Sequence, residues 1–217
     1  MAEAPLQICV VGSELVAGVG DPQGMGWVGR LAARSPARPA PAFFPLAAPM
    51  ESTLQLEARW AREADLRFLP GCEHRLVVAP GAADLATEVS PARSRLALAS
   101  ILDGALRRRL DTMVVGPPPG RDALNAAIAD LSRAYRDVTT RRGMVYVDTF
   151  TPLVANDQWL ADMAVGDGEH PGATGYALIA WLVANAGWHQ WLGIAPPARE
   201  AMMGSGPRRP TGAGESA

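Results

Sequence analysis

The chain has 217 residues, 48% of them hydrophobic and 19% charged, with a formal net charge of -2. That balance suits one globular domain with a sizeable core, and it argues against nucleic acid or an anionic membrane surface as partner. Every basic residue is an arginine, which excludes a Schiff-base lysine and a phosphate-loop lysine.

In chain order, residues 6–12 form an apolar run that ends at Gly12 and read as a buried strand. Asp21-Pro22 marks a turn, and Trp27, Val28 and Leu31 open a short amphipathic helix. A Pro- and Arg-rich loop leads to a second strand at 42–46, bracketed by Pro41 and Pro45 as edge strands tolerate. Residues 50–69 have helical spacing, with Leu54, Ala58 and Ala61 on one face, and Pro70-Gly71 stops them. A third strand at 74–79 ends at Pro80-Gly81. Ser90-Pro91 is an N-cap with proline at the first helical position, opening a helix to about residue 110. A fourth strand at 112–115 runs into Gly116 and three prolines. A long helix at 122–142, a strand at 145–147 ending at Asp148, and a last helix at 171–192 follow.

Strands alternating with helices predict an α/β fold: a three-layer α/β/α sandwich on a five-stranded parallel sheet. The domain is expected over residues 1–193. Residues 194–217, rich in Pro and Gly, are expected to be a disordered tail from Met203 onward. Cys9 lies within an apolar run and reads as core; with Cys72 it makes neither a zinc pattern nor a disulfide framework. The opening residues carry no basic stretch and no long apolar run, and no segment is long enough to span a membrane, so a cytoplasmic protein is expected.

A parallel sheet of this kind places its site at the C-terminal strand ends. The loops at 12–18, 46–51 and 80–84 and the segment before the last helix therefore qualify. The first presents Ser13 and Glu14 directly after Gly12, a carboxylate where such a turn often carries a hydroxyl nucleophile. The last reads Asp167-Gly168-Glu169-His170-Pro171, a spacing that lets Asp167 fix the His170 tautomer and raise its basicity. A solvated turn is the plainer reading of the same residues. Asp84 and Asp148 at strand ends read as loop braces, His74 and His189 as surface or packing residues, and Trp159, Trp181, Trp188 and Trp191 as core or a contact surface. Glu14, Asp167 and His170 are acceptable metal ligand types, but their spacing is not diagnostic, and no metal or cofactor is expected.

Together these loops resemble the SGNH, or GDSL-type, hydrolase family, whose fold is flavodoxin-like. Gly12-Ser13-Glu14-Leu15-Val16-Ala17-Gly18 fits the family's Gly-Asp-Ser-Leu-x-x-Gly frame without a gap, and Asp167 and His170 match its Asp-x-x-His in the setting DGEHPGATGY. The resemblance implies ester, thioester or related acyl hydrolysis of a small molecule. It also implies departures. Glu14 stands where the serine nucleophile is expected, and Ser13 where the aspartate is. Ala47 aligns with the second-block glycine whose N–H is an oxyanion donor, and Ala83, before Asp84, with the third-block asparagine. Ser13, Ala47, Ala83 and Asp84 are thus the candidate substrate-binding or oxyanion residues, and Glu14, His170 and Asp167 the candidate catalytic ones. Glu14 as a carboxylate nucleophile or as a general base with His170 as the acid, Ser13 as a displaced nucleophile, a lyase or isomerase on the same fold, a Glu14–His170 ion pair in a dead site, and a non-catalytic binding protein stay open alternatives.

Overall fold

The computed structural model describes residues 4–196. Five strands, β1 (Leu6–Gly12), β2 (Ala42–Ala47), β3 (Glu73–Ala79), β4 (Asp111–Val115) and β5 (Val145–Val147), form one sheet in the order β2-β1-β3-β4-β5. All pairings are parallel. The sequence expectation of a five-stranded parallel sheet holds, and the strand runs are apolar because both faces of the sheet are covered.

Side-chain alternation along β1 divides the core. Ile8 and Val10 face one layer with Trp27, Leu31, Trp159, Tyr176, Ile179 and Val183. Cys9 and Val11 face the other with Leu56, Trp60, Leu98, Ile101 and Tyr135. The first layer is built from α1 (Gly26–Ala33) with the C-terminal helices, the second from α2 (Thr53–Asp65), α4 (Pro91–Arg107) and α5 (Asp122–Thr140). Burial on both faces is what makes the sandwich cohere: each fully buried Leu, Ile or Val contributes roughly 1.5–3 kcal/mol.

Several element bounds differ from the sequence reading, each for a local reason. α2 starts at Thr53, not residue 50, because Ser52 and Gln55 form a reciprocal capping box. α5 stops at Thr140, where Gly143 takes φ +68 and Met144 N–H returns to the Thr139 carbonyl. The last helix is not continuous: α8 (Ala173–Val183) passes into a kinked turn at Ala184–Trp188, where Gly187 takes φ +93, before α9 (His189–Leu192). Three helices read from sequence as loop are present: α3 (Ala83–Ala86), α6 (Phe150–Leu153) and α7 (Asp157–Val165). The expected disordered tail from Met203 lies outside the described residues. Among the described residues no helix is long and apolar enough to cross a membrane.

Gly12 pairs with Ala47 on one side and Ala79 on the other, so β1, β2 and β3 end level. The chain turns to β2 on one side of β1 and to β3 on the other. The crevice between the β1 and β3 ends is therefore the switch point where open α/β sheets bind ligands.

Candidate active site

Gly12 is required where it stands, because a Cβ there would collide with the Ala79 carbonyl. The chain leaves the strand through Ser13 in extended conformation and closes one 3-10 turn over Glu14–Val16. Successive side chains point apart. The Ser13 side chain is buried and lines a small apolar cavity with Val16, Trp27, Val115 and Ile179. A Cβ on Gly81 would lie 2.9 Å from Ser13 Oγ, so glycine is needed opposite it. No hydrogen bond among the described residues joins Ser13 Oγ to His170.

Glu14 points instead toward the loop after β2. Its Oε2 accepts the Met50 N–H at 2.9 Å. Met50 is a non-glycine residue at φ +51, a left-handed conformation that costs an L-residue about 1–2 kcal/mol. The segment following it is fastened at three points. The Glu51 carboxylate, almost fully buried, is paired with Arg59, whose Nη2 also donates to the Gly12 carbonyl at 3.3 Å and the Leu46 carbonyl at 2.9 Å. Ser52 caps α2. Thr53 donates from its N–H (2.7 Å) and its hydroxyl (2.6 Å) to Asp84. Arg59 therefore ties the end of β1, which carries Glu14, to the end of β2, from which the Met50 loop rises.

The candidate oxyanion residues fall out differently. Ala47 is the last residue of β2, in register with Gly12, and the N–H that reaches Glu14 belongs to Met50, three residues on. Ala83 opens α3 and offers a methyl group where an amide would be needed. Asp84 is 1% exposed, and its carboxylate is taken up by Thr53 and by the Tyr135 hydroxyl at 2.8 Å. It braces α2, α3 and α5 from below. Asp148 is likewise a loop brace, accepting the Phe150 and Thr151 N–H groups and pairing with Arg136. His74 stacks on Phe68 and His189 bonds the Arg34 carbonyl, both as packing residues. Trp159 and Trp188 are core, while Trp181 is half exposed.

Asp167 and His170 do meet. Asp167 Oδ2 lies 2.6 Å from His170 Nδ1, and Asp167 Oδ1 accepts the N–H groups of Glu169 and His170, each at 2.8 Å. The hydrogen bond from the His170 ring, aided by those two N–H groups, holds the Asp167 carboxyl well below the usual carboxylate range. With Nδ1 engaged, Nε2 is the ring nitrogen left for substrate. The His170 backbone is held by close contact: a Cβ on Gly20, at φ +89, would come 2.7 Å from His170 Cβ. The buried Tyr176 hydroxyl donates to the Val19 carbonyl at 2.6 Å and steadies the same loop. Burial first, and then the negative charges of Asp21 and Glu14, push the Tyr176 phenol up. Beneath the loop the Asp21 carboxylate is fully covered and bound to Arg30. That bond and the Gln23 and Gly26 N–H groups hold its carboxyl down at about 2.

Glu14 and His170 form no ion pair within 4.0 Å, so the dead-site pairing read as an alternative from sequence is not formed. Among the described residues no three His, Cys, Asp or Glu side chains gather into a metal-binding cluster. The two residues that sequence reasoning missed are Met50 and Arg59. A usable signal was the Ser52-x-x-Gln55 capping box: it fixes the helix start and leaves Met50, not Ala47, at the loop's tip.

Comparison with known proteins agrees with this architecture. The sequence profile of the GDSL-like lipase/acylhydrolase family matches residues 10–178. A lipase/acylhydrolase from Enterococcus faecalis superposes with a TM-score of 0.71 at 18% identity, covering 89% of this chain and 99% of that one. An acetylxylan esterase from Geobacillus stearothermophilus gives 0.70 at 13% identity, covering 89% and 96%. An α/β hydrolase from the metagenome of Lake Arreo, Spain, gives 0.66 at 19% identity, covering 88% and 96%. No curated protein matches the chain.

Proposed function

The chain belongs to the GDSL-like lipase/acylhydrolase family, and we propose that it hydrolyses a small acyl ester with Glu14 working in place of the serine nucleophile, beside the His170–Asp167 dyad. The observation that carries the reading is the hydrogen-bonded His170–Asp167 pair with a carboxylate at the end of β1. A carboxylate cannot form the usual serine acyl-enzyme. Glu14 acts as general base, taking a proton from a water whose oxygen attacks the ester carbonyl. The acyl–oxygen bond breaks, and the imidazolium of His170 gives its Nε2 proton to the departing alkoxide. Asp167 stabilises that imidazolium, and the proton on Glu14 returns to His170 through solvent. Ser13, Ala47, Ala83 and Asp84 shape the surroundings without a proton-transfer role. With no amide at Ala83, one oxyanion donor is missing, which lowers the rate by roughly a hundredfold to a thousandfold relative to a complete site.

The test is hydrolysis of p-nitrophenyl acetate by the native protein and by the Glu14→Gln, His170→Ala and Ser13→Ala variants, with a fluorophosphonate probe alongside. Loss in the first two, with Ser13→Ala active and no probe labelling, is the expected result. A labelled Ser13 peptide overturns the role of Glu14. A single turnover in ¹⁸O-water checks the base role, since product acid free of solvent oxygen with the label in Glu14 overturns it. A second reading is favoured by one contact: Glu14 Oε2 already occupies the Met50 N–H. A protein that binds the ester without turnover is the form that reading takes.

A further inference from the structure

We propose that Met50 is the positioning residue of the Glu14 carboxylate, an inference that rests on Glu14 being the working group of the site. The Met50 side chain is largely exposed and plays no part in the core. Its left-handed backbone is thus unexplained by packing. The conformation does accomplish one thing: it turns the N–H onto Glu14 Oε2 at 2.9 Å. A charge-assisted bond of this kind fixes one carboxylate oxygen and leaves Oε1 as the proton acceptor.

Two further observations support the assignment. The loop cannot drift, because Glu51, Ser52 and Thr53 are each anchored within three residues of Met50. Arg59, through the carbonyls of Gly12 and Leu46, locks the strand end bearing Glu14 to the strand end from which Met50's loop rises. Donor and acceptor therefore stand on one rigid frame. The remaining charged or titratable groups around the site are held by other partners: Asp21 by Arg30, Asp167 by His170, Tyr176 by the Val19 carbonyl and Glu169 by Arg121. The Met50 N–H is the one hydrogen-bond donor to the Glu14 carboxylate among the described residues.

Amide hydrogen exchange at residue 50, read by NMR, tests the contact without any need for turnover. Exchange should quicken about tenfold on Glu14→Ala. Met50→Val, β-branched and ill-suited to positive φ, should quicken it as well, whereas Met50→Gly should keep it slow. In parallel, kcat for p-nitrophenyl acetate should be roughly tenfold or more higher in Met50→Gly than in Met50→Val, with KM alike in the two. Thermal midpoints of the variants establish that each is folded. Equal exchange at residue 50 in native protein and Glu14→Ala overturns the proposal, whatever the activity. A protected amide in a protein with no ester hydrolysis supports the contact and overturns the hydrolytic reading instead. Equal kcat in the Gly and Val variants, with hydrolysis measurable, also overturns the positioning role.

Discussion

Replacing Asp84 with alanine should destabilise the fold far more than it alters ligand binding. The carboxylate is 1% exposed and accepts three hydrogen bonds, from Thr53 N–H at 2.7 Å, Thr53 Oγ1 at 2.6 Å and Tyr135 Oη at 2.8 Å. Tyr135 is itself fully buried, and burial together with the Asp84 charge keeps its phenol protonated and donating. In Asp84→Ala the Thr53 and Tyr135 hydroxyls can turn to one another or to Ser94, whose hydroxyl lies within reach of the phenol and lacks a partner, but the Thr53 N–H has nowhere to turn. A stranded buried donor costs about 1–3 kcal/mol, so the loss should be about 2 kcal/mol. For a chain of this length that corresponds to roughly 4–8 °C in the thermal midpoint. Urea unfolding with an unchanged m-value is the assay, and Tyr135→Phe in the same background should cost little more, since the two act on one network. A loss below about 1 kcal/mol would refute the reasoning, and so would a binding defect with the stability intact.

Gly20→Ala should cut hydrolysis by roughly tenfold or more while the fold survives, because the new Cβ would displace His170 by way of its own Cβ; unchanged rates would show that the contact does not set the imidazole. The Asp21 carboxyl, held at about 2 against an ordinary 3.8, contributes stability that is present above pH 3.8 and lost as pH falls toward 2. Asp21→Asn should therefore flatten the acid-unfolding curve in that window, and an identical curve would show that the Arg30 pair is not the cause. Burial pushes the Cys9 thiol up to about 12, so Ellman's reagent should modify the half-buried Cys72 in native protein and Cys9 only in denaturant.

The strands were legible because a parallel sheet buried on both faces demands continuous apolar runs, and Gly12, Pro80 and Gly116 end three of them plainly. Helix ends were read too long wherever apolar residues continue past the cap. Residues 66–69 keep helical spacing, yet the chain leaves α2 after Asp65 with turn bonds back to Ala64. α7 was invisible for another reason. It is nine residues long and marginal on its own, so the Asn156 cap and the single i,i+4 pair of Trp159 and Met163 give only a short mark, and the helix rests on that pair packing into the core. Gly187 did carry a mark: a glycine within an apparent helix is a candidate break, and the break is there.

The site divides along the same physical line. Glu14 and the Asp167–His170 pair stand in contiguous blocks whose geometry is local: a strand end and a three-residue turn. Sequence is sufficient for such features, because the backbone that fixes them is a few residues long. The partner of Glu14 is not local. It is brought from 36 residues away by the level ending of β1 and β2, and its donor is a backbone N–H, which any residue but proline supplies. Ala47 is the natural choice when the loop is aligned by the strand that precedes it. Met50 emerges only when the loop is counted back from the helix that follows, since Ser52, Gln55, Thr53 and Asp84 fix that end and Pro49 gives the chain its turn. A backbone donor is thus located by whichever neighbouring element is more rigidly anchored, and here that element is α2. The same argument explains why a methionine is tolerated at φ +51: the anchoring downstream over-determines the loop and holds against the local strain.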